Sequence, residues 1–322
     1  MSFKNIVGQQ RALNMLQGTL ITGRVAAAYL FIGAKGVGKY TAALEFAKAL
    51  NCETRREADS CDDCGSCRKT GAFKHPDVIV ISPEDDLITV EQIRNVEEFL
   101  SFMPYEGRKK VVIVDDADMM NIYSENAFLK TLEEPPDDSV VILVSSRPDV
   151  LADTVRSRCL KIGFSHLSEA ELRAAAGAAG RPDVTDTKLR LAMGSAGQLF
   201  DDEMIEKRDE ALGVFEDMVA GKEIAAPKDR REVEELIDRF SLFIRDMAIH
   251  VSSGRDDDLI NVDSSDRIAG LCKECDLKVI INTYKLLAEL RQRMRYNLNR
   301  SVVINYLSSL LSVMRRGKNF SP

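Results

Sequence analysis

Short apolar stretches rich in β-branched residues recur through the first half of the chain. They lie at residues 29–32, 78–81, 111–114, 140–144 and 160–162. Each is continuously apolar rather than alternating, which is typical of strands buried on both faces of a parallel sheet. Helical spacing of apolar residues precedes the first and third stretches, at Leu13, Leu16 and Leu20 and at Ile93, Val96 and Leu100. Alternating strands and helices predict a doubly wound α/β domain over residues 1–164.

The pattern changes after residue 164. Residues 165–205 carry short, alanine-rich helical patterns interrupted by turn signals, among them the GSAG stretch at 194–197. Longer apolar stripes at helical spacing follow at Val233, Leu236, Ile237, Phe240, Ile244 and Met247, and again at Ile280, Tyr284, Leu287 and Met294. Residues 221–229 are predicted to form a loop. The sequence therefore predicts a small helical domain over 165–205 and a helical domain over 206–322.

Composition and charge limit the class of protein. The chain has 322 residues, of which 45% are hydrophobic and 30% are charged, as in a soluble globular protein. It has no apolar run near the roughly 20 residues of a membrane span, and residues 1–30 lack the pattern of a secretory signal. We therefore expect a cytoplasmic protein. Its formal net charge of −7 disfavours DNA binding by the isolated chain, because such binding depends on clustered cations.

A glycine-rich stretch, GAKGVGKYT at residues 33–41, lies between a predicted strand and a predicted helix. Backbone N–H groups and a helix N-terminus in such a turn can bind phosphate. The phosphate-binding candidates are Gly33, Gly36, Gly38 and Lys39. Phosphate loops of this type place a Ser or Thr hydroxyl on Mg²⁺ at the position that Tyr40 fills here. Thr41 is one residue further along the helix, so its side chain points about 100° away.

Four of the seven cysteines fall within residues 52–67. They are Cys52, Cys61, Cys64 and Cys67. Two overlapping C-x-x-C steps and a fourth thiol upstream predict a tetrahedral Cys₄ shell for a structural zinc ion. A pair of disulfides is the alternative, which a reducing cytoplasm disfavours. Cys272 and Cys275 form another C-x-x-C, but no second pair accompanies them, so we expect free thiols.

The motifs occur in a specific order. They are VGQQRAL (7–13), the glycine loop, the cysteine segment, HPDVIVISPE (75–84), VEQIRNV (90–96), YEGRKKVVIVDDADMM (105–120), NAFLKTLEEPP (126–136), VSSRPDVLADTVRSRC (144–159) and GSAGQ (194–198). Together they resemble the bacterial clamp-loader family of AAA+ proteins, and within it the delta-prime subunits of DNA polymerase III. The likeness runs from residue 7 to about 200 and continues more weakly in YNLNRSVVINYLSSLL (296–311).

The resemblance implies a nucleotide site that lacks parts of the ATPase machinery. Asp115 stands where the family holds Mg²⁺, and Asp116 stands where motor subunits have a catalytic Glu. Gln198 falls near the position of the motor subunits' sensor-2 arginine. With Tyr40, these substitutions predict weak or absent intrinsic ATPase activity. The implied nucleotide-binding set is Gly33, Gly36, Gly38, Lys39, Thr41, Asp115 and Asp116, and it leaves open whether ATP with Mg²⁺ binds.

The resemblance also implies a role within an assembly. Arg158 in the S-R-C stretch would be an arginine finger acting in trans on the nucleotide of a neighbouring subunit. The implied partners are the gamma/tau motor subunits, the delta subunit, the sliding clamp and, through the complex, primed DNA, without a membrane. Residues 165–205 would form the lid and 206–322 the collar. The alternatives are an active gamma/tau-like ATPase motor and a nucleotide-binding scaffold.

Overall fold

A computed structural model of the chain describes residues 2–54, 58–225, 227–273, 275–294 and 298–315. The remaining residues include 55–57 of the cysteine segment, 226 of the predicted loop, and 274, 295–297 and 316–322 of the predicted collar. Tyr296 and Asn297 of the C-terminal motif therefore lie outside the described residues. None of the described helices is both long and apolar enough to cross a membrane.

The chain divides into two compact units. Unit 1 comprises Met1–Val184 with Ala192–Phe200, and unit 2 comprises Thr185–Leu191 with Asp201–Pro322. Most of the predicted lid, residues 165–205, thus belongs to unit 1, while two short stretches of it, 185–191 and 201–205, belong to unit 2. The three-domain division with boundaries at 164 and 205 stays a prediction.

Unit 1 contains a parallel five-stranded sheet in the order β2-β3-β4-β1-β5. The strands are β1 Ala28–Ile32, β2 Val78–Ile81, β3 Lys110–Val114, β4 Ser139–Ser145 and β5 Leu160–Gly163. All five predicted stretches form strands, and β3 and β4 are buried along their whole length. The predicted α/β fold with a parallel sheet, an inserted cysteine segment and a helical C-terminal region is confirmed.

Among the described residues, helices connect the strands of unit 1 and are the main regular structure of unit 2. They are α1 Gln10–Thr22, α2 Lys39–Asn51, α3 Gly65–Gly71, α4 Val90–Ser101, α5 Ile122–Glu133, α6 Asp153–Arg156, α7 Glu169–Ala178, α8 Asp186–Leu191, α9 Ala196–Leu199, α10 Met204–Val219, α11 Arg230–Ser253, α12 Ser265–Cys272, α13 Leu277–Arg293 and α14 Arg300–Arg315. Helix α4 begins with a capping box between Thr89 and Gln92, which satisfies two backbone donors of its first turn.

The sheet is covered on both faces. Side chains such as Tyr29 and Ile113 point to one face and pack with α1 and α2. Their neighbours Leu30 and Val112 point to the other face and pack with α4 and α5. Alternation along each strand places successive residues on opposite faces, so both must be apolar when both faces are covered. This explains the continuous apolar runs in the sequence.

Unit 2 has its own core of buried apolar side chains. The stripe predicted on α11 is buried there except for Leu236, which is half-buried, and Phe240 packs edge-on to Phe215 with ring centroids 5.1 Å apart. On α13, Ile280 and Leu287 are buried, whereas Tyr284 is 45% exposed. The buried face of α13 runs through Thr283 instead, which leaves the tyrosine at its boundary with water.

A buried carboxylate fixes the segment that enters β3. Asp77 is fully buried and accepts hydrogen bonds from the backbone N–H groups of residues 105, 106 and 107 at 2.7–2.8 Å. Lys110 Nζ lies 3.4 Å from the same carboxylate. Burial alone would raise the pKa of Asp77, but the backbone donors and Lys110 outweigh it and hold the pKa below its ordinary value.

Asp77→Asn should lower the free energy of unfolding by about 2–3 kcal/mol at pH 7, because an amide cannot accept all of these hydrogen bonds. A lowered native pKa adds stability above the pKa of the unfolded state, and that stability is lost as pH falls through the native pKa. The difference between wild type and variant should therefore narrow in acid. Urea denaturation at a series of pH values measures both effects.

Asp138→Asn is the matched control, since Asp138 is exposed and pairs with Lys109 at the surface. This substitution should cost at most about 1 kcal/mol. Equal losses in the two variants would show that Asp77 does not carry the structural role described.

Candidate nucleotide site and metal centre

The glycine loop joins β1 to α2 at the carboxyl edge of the sheet. Gly36 and Gly38 have φ angles of 75° and 100°, a region that side-chain-bearing residues rarely adopt. Gly33 is required for a different reason, because a Cβ there would lie 2.5 Å from the carbonyl oxygen of Phe164. The three glycines therefore allow a tight loop against the segment that follows β5.

Lys39, the first residue of α2, folds back onto its own loop. Its Nζ donates hydrogen bonds to the carbonyl oxygens of Gly33 at 2.8 Å and Ala34 at 2.6 Å, and the residue is only 6% exposed. Burial lowers the pKa of Lys39, while the charges of Asp116 and Asp115 oppose that shift. In this conformation two N–H donors of the ammonium group bind carbonyl oxygens of the protein and are not available to a phosphate.

The GSAG stretch packs directly on the glycine loop. Gly197 N donates to Gly36 O at 2.9 Å, and Ser195 Oγ donates to Lys35 O at 2.9 Å. A Cβ on Gly197 would lie 2.8 Å from the Cα of Gly36, so both positions need glycine. Gln198 follows this turn with an exposed side chain.

Gln9 also holds the loop, and the sequence analysis assigned it no role. Its Nε2 donates to Val37 O at 3.2 Å and to Ser165 O at 2.6 Å, and its Oε1 accepts from Ser165 N at 2.9 Å. The side chain thus joins the N-terminal segment, the glycine loop and the segment after β5. The VGQQ stretch was the available signal, but a glutamine bound only to backbone groups leaves no pattern in composition or spacing.

The predicted Mg²⁺ side of the site contains Tyr40, Thr41, Asp115 and Asp116. Tyr40 and Thr41 are half-buried in the first turn of α2. Burial raises the pKa of Tyr40, and the charge of Asp115 raises it further. Burial, and then the charge of Asp116, likewise raise the pKa of Asp115. The phenol and the first carboxylate are therefore electrostatic neighbours, and their placement around a metal ion stays a prediction.

A third carboxylate after β3, that of Asp118, is hydrogen-bonded to residues at the end of β4. Asp118 is buried and accepts hydrogen bonds from Ser145 Oγ at 2.7 Å, Ser146 N at 3.1 Å and Arg147 Nε at 3.0 Å. Burial would raise the pKa of Asp118, but these partners outweigh it and lower the pKa. The Ser145 hydroxyl is thus committed to a carboxylate. The sequence did not predict this network, because it joins residues of two different segments.

Arg158 lies at the surface between α6 and β5. Its guanidinium donates to Thr154 O at 2.7 Å and pairs with the Glu133 carboxylate at the end of α5. The neighbouring Cys159 is buried in the core, and burial raises its pKa to about 11. The exposed position is compatible with an arginine that reaches another subunit, and this role stays a prediction.

The four predicted metal ligands come together. The Sγ atoms of Cys52, Cys61, Cys64 and Cys67 all lie within 4.8 Å of one another, and two of the sulfur–sulfur distances are 4.0 Å. A tetrahedral ion with bonds of about 2.3 Å needs sulfurs about 3.8 Å apart. The arrangement therefore fits a metal ion, as the spacing of the cysteines predicts.

Backbone groups also prepare the sulfurs for a metal. Cys61 N donates to Cys52 Sγ at 3.4 Å, and Cys64 N donates to Cys61 Sγ at 3.3 Å. Hydrogen bonds, first from the Thr54 side chain, lower the pKa of Cys61 to about 6, whereas burial raises the pKa of Cys52 and Cys67. None of the seven cysteines forms a disulfide, so the disulfide alternative is not observed.

The second C-x-x-C motif is not part of this cluster. Cys272 is buried, and its thiol donates to Met247 O at 3.7 Å, while the Cys275 thiol donates to Leu271 O at 3.3 Å. Within the described residues, the only group of three or more His, Cys, Asp and Glu side chains with metal-binding geometry is the Cys52 to Cys67 cluster. Neither Cys272 nor Cys275 forms a disulfide, as predicted.

A protein-family model described as "DNA polymerase III, delta subunit" matches residues 8–168 of this chain. The match covers the glycine loop, the cysteine cluster, both aspartates after β3 and Arg158. This chain belongs to that DNA polymerase III family. Delta' of Bacillus subtilis is 28% identical over 320 residues, 94% of this chain and 96% of delta'. The predicted delta-prime assignment is thereby confirmed.

Other family relatives match a smaller part of the chain. Delta' of Pseudomonas aeruginosa is 38% identical over 138 residues, which is 42% of each protein. DNA polymerase III subunit tau of Escherichia coli is 38% identical over 172 residues, 53% of this chain but only 27% of tau. This chain therefore corresponds to about a quarter of the length of tau.

Solved structures show more distant similarity. A gamma-subunit-related protein of Thermotoga maritima is 17% identical, with a TM-score of 0.43 over 95% of this chain and 100% of that protein. The RuvB Holliday junction branch migration motor of the same organism is 13% identical, with a TM-score of 0.45 over 78% of each chain. At these TM-scores neither structure adds to the family assignment.

Gly36→Ala should destabilise the protein by about 1–3 kcal/mol, because the new Cβ meets the 195–197 turn and the residue must keep a positive φ. Thermal unfolding measures this loss. Gly18→Ala is the control: it lies within α1 with no atom within 4 Å of its Cβ, and it should stabilise by about 0.5–1 kcal/mol. A Gly36→Ala protein as stable as wild type would contradict the close packing of the two glycine turns.

Proposed function

We propose that this protein is a stator-like delta-prime subunit of the bacterial DNA polymerase III clamp loader, with weak or absent ATPase activity of its own. Its partners would be the gamma/tau motor subunits, the delta subunit and the sliding clamp, and primed DNA through the complex. The formal net charge of −7 suits a subunit that reaches DNA within an assembly better than an isolated DNA-binding protein.

The observation that carries the non-motor proposal is the conformation of Lys39. In an active site of this type the lysine contacts phosphate oxygens, whereas here its Nζ is bound to the carbonyl oxygens of Gly33 and Ala34. A nucleotide would have to replace both hydrogen bonds. The loop therefore has the shape of a phosphate site, but its lysine is hydrogen-bonded to the loop's own carbonyl groups.

Two further features support the same proposal. Tyr40 stands in place of the Mg²⁺-binding hydroxyl, next to the charge of Asp115, and Ser145 donates its hydroxyl to Asp118. Hydrolysis requires a placed metal ion and an oriented water. Tyr40 lacks the aliphatic hydroxyl that would hold the ion, and the Ser145 hydroxyl is engaged by a carboxylate of its own chain. ATP with Mg²⁺ could bind through Gly36, Gly38, Lys39 and the aspartates without efficient cleavage, which is the scaffold alternative.

Arg158 would contribute to catalysis in a neighbouring motor subunit. A guanidinium directed at the transferred phosphoryl group is worth about 10³ to 10⁵ in rate in related phosphoryl transfers. Its present partner Glu133 is an exposed carboxylate, and exposed ion pairs contribute only about 0–1 kcal/mol. Exchanging the Glu133 carboxylate for a triphosphate would therefore cost little free energy.

Arg158→Ala in the assembled loader should reduce hydrolysis at the adjoining motor site by about 10³-fold or more. The steady-state ATPase rate of the complex should fall by the fraction of the total rate that the adjoining motor site contributes. The isolated chain should show no substantial turnover. Arg156→Ala is the control, because Arg156 lies two residues away and pairs with Asp153 of its own helix.

Either of two results would reject the stator proposal. One is an unchanged ATPase rate in the complex that carries Arg158→Ala. The other is an isolated chain that hydrolyses ATP as fast as the complete loader, which would favour the active-motor alternative.

We further propose that the cysteine cluster holds one structural zinc ion. A zinc ion bound there would link Cys52 to the turn formed by Cys61, Cys64 and Cys67. Because a four-thiolate shell is closed, it leaves no position for a substrate. The cluster would therefore stabilise the segment after α2 without taking part in chemistry.

Elemental analysis of metal-replete protein should find about one zinc ion per chain. Cys64→Ser should lose most of it, because a neutral hydroxyl replaces a thiolate ligand. Cys272→Ser, which alters a buried thiol outside the cluster, should retain it. Wild-type protein with substantially less than one ion would reject the zinc site.

A further inference from the structure

Helix α2 carries the glycine loop at one end and the cysteine cluster at the other. It begins at Lys39 and ends at Asn51, and the next residue, Cys52, is a fully buried member of the cluster. Its 13 residues span about 20 Å at 1.5 Å per residue. The two candidate sites are therefore separated by one continuous helix.

A buried lysine joins this helix to the cysteine turn. Lys48 Nζ lies 3.0 Å from Glu45 Oε1 within the helix and 3.2 Å from Oδ1 of Asp62. Both Lys48 and Glu45 are almost fully buried. Burial would lower the pKa of Lys48, but Glu45 and then Asp62 outweigh it and raise the pKa. Burying such charges is unfavourable unless they stay paired.

Asp62 is held where it is by the cysteine turn. It follows Cys61 directly, with a left-handed φ of 62°, and the N–H of Cys64 closes the turn on the Cys61 sulfur at 3.3 Å. A metal ion that binds both of these cysteines would fix the turn and hence the position of the Asp62 carboxylate. Without the ion, the described residues of the turn would be held by the protein's own contacts, among them N–H to sulfur contacts and the hydrogen bond from Ser66 N to Glu53 at 2.9 Å.

The same end of α2 also positions the strand that leads to the aspartates. Asn51 is buried, and its Oδ1 accepts from the backbone N–H groups of Arg108 and Lys109 at 2.9 and 2.8 Å. Its Nδ2 donates to Lys109 O at 2.8 Å. Strand β3 starts at the next residue and ends immediately before Asp115. A shift at this end of α2 would thus reach both elements of the candidate nucleotide site.

We propose that a metal ion in the cysteine cluster stabilises the whole of α2, as far as the glycine loop, through the Cys52 anchor and the Lys48–Asp62 ion pair. The proposal rests on the zinc site proposed above. A helix of this length is marginal alone and depends on its tertiary contacts. Loss of the anchor and of a buried ionic contact at one end should therefore weaken the helix along its length.

Hydrogen exchange of the full-length protein, followed by mass spectrometry, tests this coupling. In wild type, removal of zinc with EDTA should accelerate exchange at residues 42–51 about tenfold, the factor expected for loss of one charged hydrogen bond. In zinc-loaded Asp62→Gly protein, exchange in the same helix should rise by a similar factor, although all four cysteines remain. Glycine suits this position because the native φ is positive.

Asp63→Gly is the matched control. It removes the same charge one residue later, from an exposed position of the same turn, and α2 should exchange as in wild type. The coupling is overturned if chelation accelerates exchange only within residues 52–71, or if zinc-loaded Asp62→Gly and Asp63→Gly proteins exchange equally in α2. Zinc content measured on each sample separates this outcome from failure of the zinc site itself, which would appear as wild-type protein without the ion.

Discussion

Burial of one parallel sheet on both faces is the constraint on which unit 1 depends. Parallel strands end at the same edge, so the turns that follow β1, β3 and β4 meet there whatever their sequences. This edge brings Lys39 under the influence of Asp115, Asp116 and Asp118. At the opposite edge, where the strands begin, buried polar side chains hold the segment that leads into β3. Asp77 and Asn51 accept hydrogen bonds from its backbone N–H groups.

The sequence was most informative where a pattern is local. Continuous apolar runs located all five strands, because a strand buried on two faces leaves no polar positions. Close cysteine spacing predicted the metal-type cluster, since thiols two residues apart in a tight turn are held near each other by the backbone alone. These features require no knowledge of how distant segments pack.

Features that depend on tertiary contact were missed. Gln9 and Ser165 are 156 residues apart in sequence, and Gln9 bonds to backbone groups that every sequence possesses. The sequence shows that Asp118 and Ser145 can form hydrogen bonds, but it does not show that they meet, because their contact depends on the register of β3 against β4. Tyr284 fits the helical spacing and is still half-exposed. Spacing predicts which face of a helix is apolar, but the packing of neighbouring helices decides where the buried part of that face ends.

Buried charges at the carboxyl edge of the sheet are paired within the protein. A buried ammonium or carboxylate must be paired, and here Lys39 donates to carbonyl oxygens of its own loop, while Asp118 accepts hydrogen bonds from Ser145 and Arg147. These internal bonds stabilise the glycine loop and the turn after β3. A phosphate group bound by Lys39 would have to replace the two hydrogen bonds of its ammonium group.

The arginines of the chain differ in how readily they could serve another subunit. Arg208 is buried and forms two hydrogen bonds with Asp263, at 2.8 and 2.7 Å, so releasing it from these contacts would leave a buried charge unpaired. Arg158 pairs with an exposed carboxylate instead, and water can replace either partner at little cost. An arginine that acts in trans must leave its own chain's contacts, which makes a weak surface pair the appropriate resting state. The exposure of the Arg158–Glu133 pair is therefore what supports its proposed role.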